Sequence, residues 1–516
     1  MNIVEILENH SVKHADQIAI THGAEKISFK ELAEQSCKGG NYFKNLGLQK
    51  GDVVVVFVPM SINLYIILIA LWRLGLIAMF LDPSSDKKQL EQCCMRVKPK
   101  VFIGTVKAQI MRFFTPALRK IPLAVSTGYM PWGNIWSDRN RCRFDCIPCK
   151  CKEDDAALIT FTSGSTGFPK GIVRTHGFLS AQNKVLQKTL ALKTGNSDLA
   201  TLPIFALINL ASGITTHIPC VNLSAPGKID ADSVLDDMAR KQPQTAVASP
   251  AFYECLLKSE KRGMLRCLRS VFVGGAPVFP GLLKRLQSNM PKSQIVAVYG
   301  STEAEPIAEI VFSQISENDF TRMSAGKGLL AGSVVEAVRC HIIKDSWGIP
   351  HTHMTQKTFS SLQVAKNVPG EIVVHGDHVL KTYLDGVGDL ENKFAVDGEI
   401  WHRTGDLGYF DTFGRLWLLG RCSAVICDES GELYPFAVEA AAMQYEDVFR
   451  AAMCGVNGKR ILVLESSRSL KSLKKILESV IEQFNITHLL IQKIPMDKRH
   501  NAKIDYPLLL RSIKNV

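Results

Sequence analysis

Short apolar runs alternate with longer amphipathic stretches over most of this chain. Runs rich in β-branched and aromatic residues predict strands over 51–58, 101–104, 156–162, 245–249, 270–273 and 295–299. Apolar positions at helical spacing predict helices over 28–46, 62–74, 178–190, 232–241 and 280–288. Strands alternating with helices in this way give an α/β fold. The greasiest region, 53–81, is interrupted by Pro59, Ser61, Asn63 and Arg73. It reads as a buried strand followed by a core helix rather than as a membrane span. A break falls near Gly420 and Arg421. Beyond it, an apolar run over 460–465 and an amphipathic helix over 470–484 suit a small α+β domain. The expected organisation is a large N-terminal α/β domain, 1–420, and a small C-terminal α+β domain, 421–516.

A chain of 516 residues exceeds what one simple core organises, in keeping with two domains. Its formal charge of +12 favours anionic partners such as ATP, CoA, an acidic carrier protein or an anionic lipid surface. Basic residues are scattered and no nucleic-acid-binding motif is present, so nucleic acid is not an expected partner. The opening MNIVEILENHSVKHADQ lacks the basic start and apolar core of a signal peptide. The 14 cysteines fit a reducing compartment. A cytoplasmic location is expected, with peripheral membrane contact left open. Cys142, Cys146, Cys149 and Cys151 lie close together. They are either thiolates for a zinc ion or incidental thiols of a surface linker, and their irregular spacing favours the linker.

The densest chemistry lies over 159–176, ITFTSGSTGFPKGIVRTH. Thr162, Ser163, Gly164, Ser165, Thr166, Gly167 and Lys170 fall between two strand-like runs. Small hydroxyl and glycine residues let backbone N–H groups close on an anion, and the lysine adds positive charge. That chemistry suits a polyphosphate. The spacing is not that of the P-loop, because Pro169 precedes Lys170 and Gly171 follows it. Four further segments stand out. Gly274, Gly275 and Ala276 end a strand and leave room for a flat ring against backbone, although a simple strand-to-helix turn explains them equally well. Tyr299, Thr302 and Glu303 lie in VYGSTE, Asp406 in WHRTGDLG with Arg421 downstream, and Lys503 in RHNAKID.

In this order the five segments resemble the signatures of the adenylate-forming enzymes: acyl-CoA synthetases, peptide-synthetase adenylation domains and luciferases. The resemblance implies an N-terminal AMP-binding domain and a mobile C-terminal lid with a hinge near Cys422 and Ser423. A typical member carries Asp or Lys where this chain has Ser423. It also implies roles. The loop from Thr162 to Lys170 would hold the phosphates of ATP. Gly274, Gly275, Ala276 and Tyr299 would hold adenine. Thr302 would contact the α-phosphate and Glu303 would bind Mg²⁺, a hard cation that prefers carboxylate and phosphate oxygens. Asp406 would accept from both ribose hydroxyls, and Arg421 would contact the ribose or phosphate. Lys503 would bridge the attacking carboxylate and the α-phosphate.

Other segments sort the branch. LPIFALINLASG has Ala206 where many acyl-CoA synthetases carry histidine. With GRCSAVICDESGELYPFAVEA, THGFLSAQ, SPAFYECLL and RHNAKI, it resembles the β-lactone synthetases of bacterial long-chain olefin biosynthesis. The resemblance runs from about 158 to 507, and the first 150 residues resemble the superfamily only generally. It implies ATP-dependent activation of a 2-alkyl-3-hydroxy fatty acid. Attack of the 3-hydroxyl would then give a β-lactone, AMP and pyrophosphate without CoA. His176, Glu305 and His402 are candidates for the base, and Glu305 stands where lactone-forming relatives more often carry an apolar residue. The alternative is a long-chain fatty acyl-CoA or carrier-protein ligase, which would use CoA or the carrier. Partner enzymes of a pathway stay open. A nucleotide-binding protein without catalysis is disfavoured by the intact Lys170, Glu303, Asp406 and Lys503.

Overall fold

Four consecutive valines crowd one another in a helix, because each is stiff at χ1, and Val53–Phe57 is accordingly a strand. The computed structural model describes residues 2–82, 85–131, 133–162, 169–445, 447–497 and 503–513. The chain divides into two compact units. The first comprises Met1–Leu223, Arg240–Val247 and Leu380–Asp389; the second comprises Ser224–Ala239, Ala248–Val379 and Leu390–Val516.

In the first unit, Val53–Phe57 lies centrally in a seven-stranded sheet. The order is Asn134–Ile135, Leu123–Ser126, Val101–Gly104, Val53–Phe57, Ile77–Phe80, Ala156–Thr162, Lys170–Thr175. All neighbours are parallel except the last pair, which is antiparallel. The helix Ile62–Arg73 is buried along nearly its whole length, which accounts for the greasy 53–81 region as strand, helix and strand of the core. Among the described residues no helix is long and apolar enough to cross a membrane. Arg73 ends the buried helix and donates to Glu8 and Ser36. The helix Phe29–Asn45 starts at a capping box of Ser28 and Glu31.

Along that helix runs the cysteine-rich linker. Asn41 Nδ2 donates to Arg143 O at 2.9 Å, Cys37 Sγ to Cys146 O at 3.8 Å, and Asn45 Nδ2 to Cys142 Sγ at 3.8 Å. Among the described residues, no three of Cys142, Cys146, Cys149 and Cys151 gather their sulfurs into a ligand set. The thiols pack a linker against the helix.

The segment around Ala206 forms the helix Pro203–Ala211 of the same unit. Ala206, Leu210 and Ala211 are buried in the main core, and Ile204 and Leu207 pack against it partly exposed. Asn209 Nδ2 donates to the fully buried Asp198 at 2.8 Å, and Thr245 Oγ1 donates to its other oxygen at 2.5 Å. Most of this segment's apolar character is core packing.

The second unit pairs Ser270–Val273 parallel with Gln294–Ser301. An antiparallel series follows: Ala304–Val311, Leu329–Val334, Leu416–Arg421, Glu399–Phe410, Gly370–His375 and Arg339–Ile343. After Arg421 the chain builds a small α+β domain around a three-stranded sheet of Val448–Val456, Lys459–Ser466 and His488–Ile491. Leu433, Val438, Leu462, Leu464 and Leu473 are among the members of its own core. The helix expected over 470–484 is two, Leu470–Ile476 and Glu478–Gln483, with a bend at Leu477. Leu473, Leu477 and Val480 keep one buried face through the bend, so their spacing reads as a single helix.

Candidate active site

The long strand Glu399–Phe410 and its partner Leu416–Arg421 are joined by a tight turn organised by Asp411. The buried Asp411 carboxylate accepts from Phe413 N, Arg415 N, Arg415 Nε and Trp417 Nε1. Burial favours its neutral form, but these donors outweigh it and lower its pKa. The turn, together with a bulge between Leu407 and Gly408 that skips Leu419, sets a register in which Asp406 lies opposite Arg421. Arg421 Nη1 sits 3.2 Å from Asp406 Oδ1 and donates to Thr404 O at 2.8 Å. The Thr404 hydroxyl accepts from Asp406 N at 3.0 Å and donates to Ile372 O at 2.8 Å. One threonine thus braces the aspartate and the arginine together.

Tyr299 reaches the same carboxylate from the strand Gln294–Ser301, donating to Asp406 Oδ2 at 2.8 Å. Burial first, and then the charge of Asp406, raise its pKa well above the ordinary phenol value, so it stays a donor. Two glycines let the surrounding backbone close in. A Cβ at Gly274 would come 3.2 Å from Val298 O, and one at Gly300 would come 2.9 Å from Ala304 O. Gly275 has φ +80°, a conformation that favours glycine. Ala276 follows, half-buried, in the turn that leaves the strand Ser270–Val273.

Thr302 and Glu303 form the tip between Gln294–Ser301 and Ala304–Val311, and both are half-buried. The Glu303 charge acts on His402, Arg421 and Lys503. Lys503 sits in a turn closed by Asp497: Asp497 N donates to Lys503 O at 2.7 Å, and Lys503 N donates to Asp497 Oδ1 at 2.8 Å. Desolvation, and then Arg421, lower the Lys503 pKa, while Asp406, Glu303 and Asp497 oppose them. Residues far apart in sequence, Tyr299, Glu303, Asp406, Arg421 and Lys503, therefore share one electrostatic neighbourhood in the second unit.

The first unit carries the other part of the motif set. Thr162 ends Ala156–Thr162, Lys170 opens Lys170–Thr175, and the two are paired in an antiparallel hairpin. Ser163, Gly164, Ser165, Thr166 and Gly167 lie outside the described residues. The Lys170 stem packs on Gly388, where a Cβ would come 2.9 Å from Lys170 Cδ, and its ammonium lies 5.7 Å from the Tyr383 ring centroid.

The two histidine candidates are buried. His176 Nδ1 accepts from Ile3 N at 3.3 Å, and burial pushes its pKa down to about 4. His402 Nδ1 is 3.1 Å from Asn392 O, a group that only accepts, so the proton sits on Nδ1. Burial, and then Lys393, push its pKa down to about 3. Glu305 is half-buried on the strand Ala304–Val311. Sequence reasoning assigned no role to Thr404, Asp497 or Gly388. Thr404 stood inside the T-G-D motif, but Asp497 and Gly388 carry no local signal, because their partners are distant or purely steric.

Residues 7–384 match the AMP-binding enzyme family. Over 98% of its length the chain is 30% identical to an olefin β-lactone synthetase of Xanthomonas campestris pv. campestris, covering 96% of that protein. It is 27% identical over 86% of its length to a 2-succinylbenzoate–CoA ligase of Bacillus licheniformis, covering 84% of that protein. The crystal structure of ATP-bound MatB from Rhodopseudomonas palustris shares the fold at a TM-score of 0.83, with 20% identity, 100% of this chain and 99% of that chain covered. With the T-G-D strand, the tyrosine turn and the C-terminal lysine drawn together, the chain belongs to the AMP-binding enzyme family and is an adenylate-forming ligase.

Proposed function

We propose that the protein activates a fatty 3-hydroxy carboxylic acid as its acyl adenylate and then closes it to a β-lactone, releasing AMP and pyrophosphate. The observation that carries this reading is the Asp406 carboxylate held between the Tyr299 hydroxyl and the Arg421 guanidinium, with Lys503 within electrostatic reach of it. Full-length similarity to an olefin β-lactone synthetase supports the choice of product.

A carboxylate is a poor electrophile at neutral pH. In this reading it attacks the α-phosphorus of ATP and expels pyrophosphate, and the protein mainly positions groups and offsets charge. Asp406, already oriented by Tyr299 and Arg421, accepts from the ribose hydroxyls. Gly274, Gly275 and Ala276 offer backbone to the adenine, with Tyr299 alongside. Thr162 to Gly167 and Lys170 hold the phosphates. Thr302 contacts the α-phosphate. Lys503 offsets the negative charge that builds between carboxylate and phosphate in the transition state. Glu303 fits Mg²⁺ by its chemistry, since its carboxylate follows the Thr302 hydroxyl and, among the described residues, the buried Ser301 Oγ without a hydrogen-bond partner, all of them oxygen donors. The cation would neutralise phosphate charge there.

Ring closure gains from nucleophile and electrophile sharing one molecule. Burial lowers the pKa of His176 and of His402, so both stand as neutral imidazoles at neutral pH. They and Glu305 are the candidates to take the hydroxyl proton. Residues 421–516 act as a lid that carries Lys503, with its hinge at the short turn Cys422–Ala424. The setting is cytoplasmic.

The test is AMP release by the purified protein with MgATP and a 2-alkyl-3-hydroxy acid, with and without CoA. AMP with a β-lactone mass and no CoA is the expected result. AMP only with CoA, together with a thioester, would move the protein to the acyl-CoA ligases. Similarity to a CoA ligase makes that the second reading.

A further inference from the structure

The outer face of the helix Val106–Phe114 reverses the usual pattern. Apolar residues at i, i+4, i+7 and i+8 ordinarily turn toward a core. Here those positions are Val106, Ile110, Phe113 and Phe114, and they are 38%, 55%, 63% and 68% exposed. The helix turns Ala108 and Gln109 inward instead. Gln109 Nε2 donates to Val125 O at 2.7 Å in the interior, which fixes the helix in this rotation. The Phe113 and Phe114 rings meet edge to face, with centroids 5.5 Å apart. The neighbouring loop extends the patch. Gly128 lies so close to the helix that a Cβ would come 2.8 Å from Val106 Cγ2, and the next residue, Tyr129, is 81% exposed.

The segment that carries this face is basic. Between Glu91 and Asp138 the chain contains no acidic residue and seven lysines and arginines. Arg96 and Lys100 are paired with Asp385 and Asp52 from other segments. Arg112 donates to the carbonyls of Arg119 and Ile121, tying the helix to the turn that follows it. Lys107, Arg119 and Lys120 are exposed and, among the described residues, form no ion pair. Exposed aromatic and aliphatic groups among unpaired cations complement an apolar medium beneath an anionic skin, and the net charge of +12 acts in the same sense at longer range.

We propose that the helix Val106–Phe114, with Tyr129, docks the protein on an anionic bilayer. The aromatic residues enter the interface, and Lys107, Arg119 and Lys120 meet the headgroup phosphates. A fatty substrate partitions into such a surface, so the docked enzyme draws its acid from the bilayer. The surface itself is read from exposure and charge, and it does not rest on whether the product is a lactone or a thioester.

The experiment is sedimentation of the full-length protein with vesicles of phosphatidylglycerol and phosphatidylethanolamine, against vesicles of phosphatidylcholine alone. Two variants accompany it, Phe113→Ser with Phe114→Ser, and Lys107→Glu with Arg119→Glu and Lys120→Glu. Circular dichroism and pyrophosphate exchange with a short, soluble acid report separately on folding and on the proposed activity. Expected is salt-sensitive binding of the wild type to the anionic vesicles. The aromatic pair should lower it about tenfold and charge reversal about a hundredfold. The proposal is overturned by a wild type that stays in the supernatant or by variants that bind as it does. A wild-type dimer that both variants dissolve would also overturn it, by assigning the patch to a second copy.

Discussion

Both oxygens of Asp406 are engaged before any ligand arrives, Oδ2 by the Tyr299 hydroxyl and Oδ1 by the Arg421 guanidinium. A carboxylate already held in place loses little further freedom on binding, so its contacts count nearly in full. Asp406→Ala is expected to weaken ATP binding strongly, since each group left without a partner costs about 1–3 kcal/mol. Calorimetric titration with ATP measures this, and unchanged affinity would remove Asp406 from the site. Lys503→Ala is expected to abolish ATP–pyrophosphate exchange while circular dichroism stays that of the wild type; retained exchange would sink the role given to it. Single residues of this kind were legible because their chemistry is local. A glycine pair, a T-G-D or a lysine after N-A announces itself in three or four letters. Asp497 and Gly388 were not legible. One closes the turn that presents Lys503 from six positions upstream, and the other matters only because Lys170 lies against it.

At the scale of elements, the expected strands and helices reappear with ends within about two residues, because buried β-branched runs and capped amphipathic stretches leave little choice. The bend at Leu477 escaped because it does not disturb the buried face. Gly300 shows how tightly the tyrosine hairpin is drawn. Gly300→Ala places a Cβ against Ala304 O and is expected to destabilise by roughly 1–3 kcal/mol in urea unfolding. Wild-type stability there would mean that the hairpin tip yields freely. In the C-terminal domain, the buried Glu439 accepts from Tyr506 Oη and from Met453 N. Burial raises its pKa from 4.5 to about 7. A carboxyl raised on folding contributes stability that is present below 4.5 and is lost as pH rises through about 7. The loss is on the order of 1–3 kcal/mol. Glu439→Gln should flatten that dependence in denaturation followed between these pH values, and an unchanged slope would assign it to another group.

Over the whole molecule, the alternation of elements foretold an α/β fold and the charge foretold anionic ligands. The division into compact units was not legible, since Leu380–Asp389 joins the first unit from deep within the sequence of the second. Chain order says little about which long-range contacts close. The charge carries its own prediction: with +12 at neutral pH, kcat/KM for MgATP is expected to fall several-fold as salt rises toward about 1 M, where screening acts over about 3 Å. Steady-state kinetics at graded ionic strength measures it, and a flat response would mean that capture is not steered. The turn at Asp411 bears on how such a chain can change in length. It is a short connection, where insertions and deletions are ordinarily tolerated. Yet with the bulge between Leu407 and Gly408 it sets the register that puts Arg421 opposite Asp406, and a slip of one residue turns the side chains that follow to the other face of the sheet. Losing or gaining a single codon between Asp411 and Arg415 would therefore silence chemistry carried by residues that the change leaves untouched.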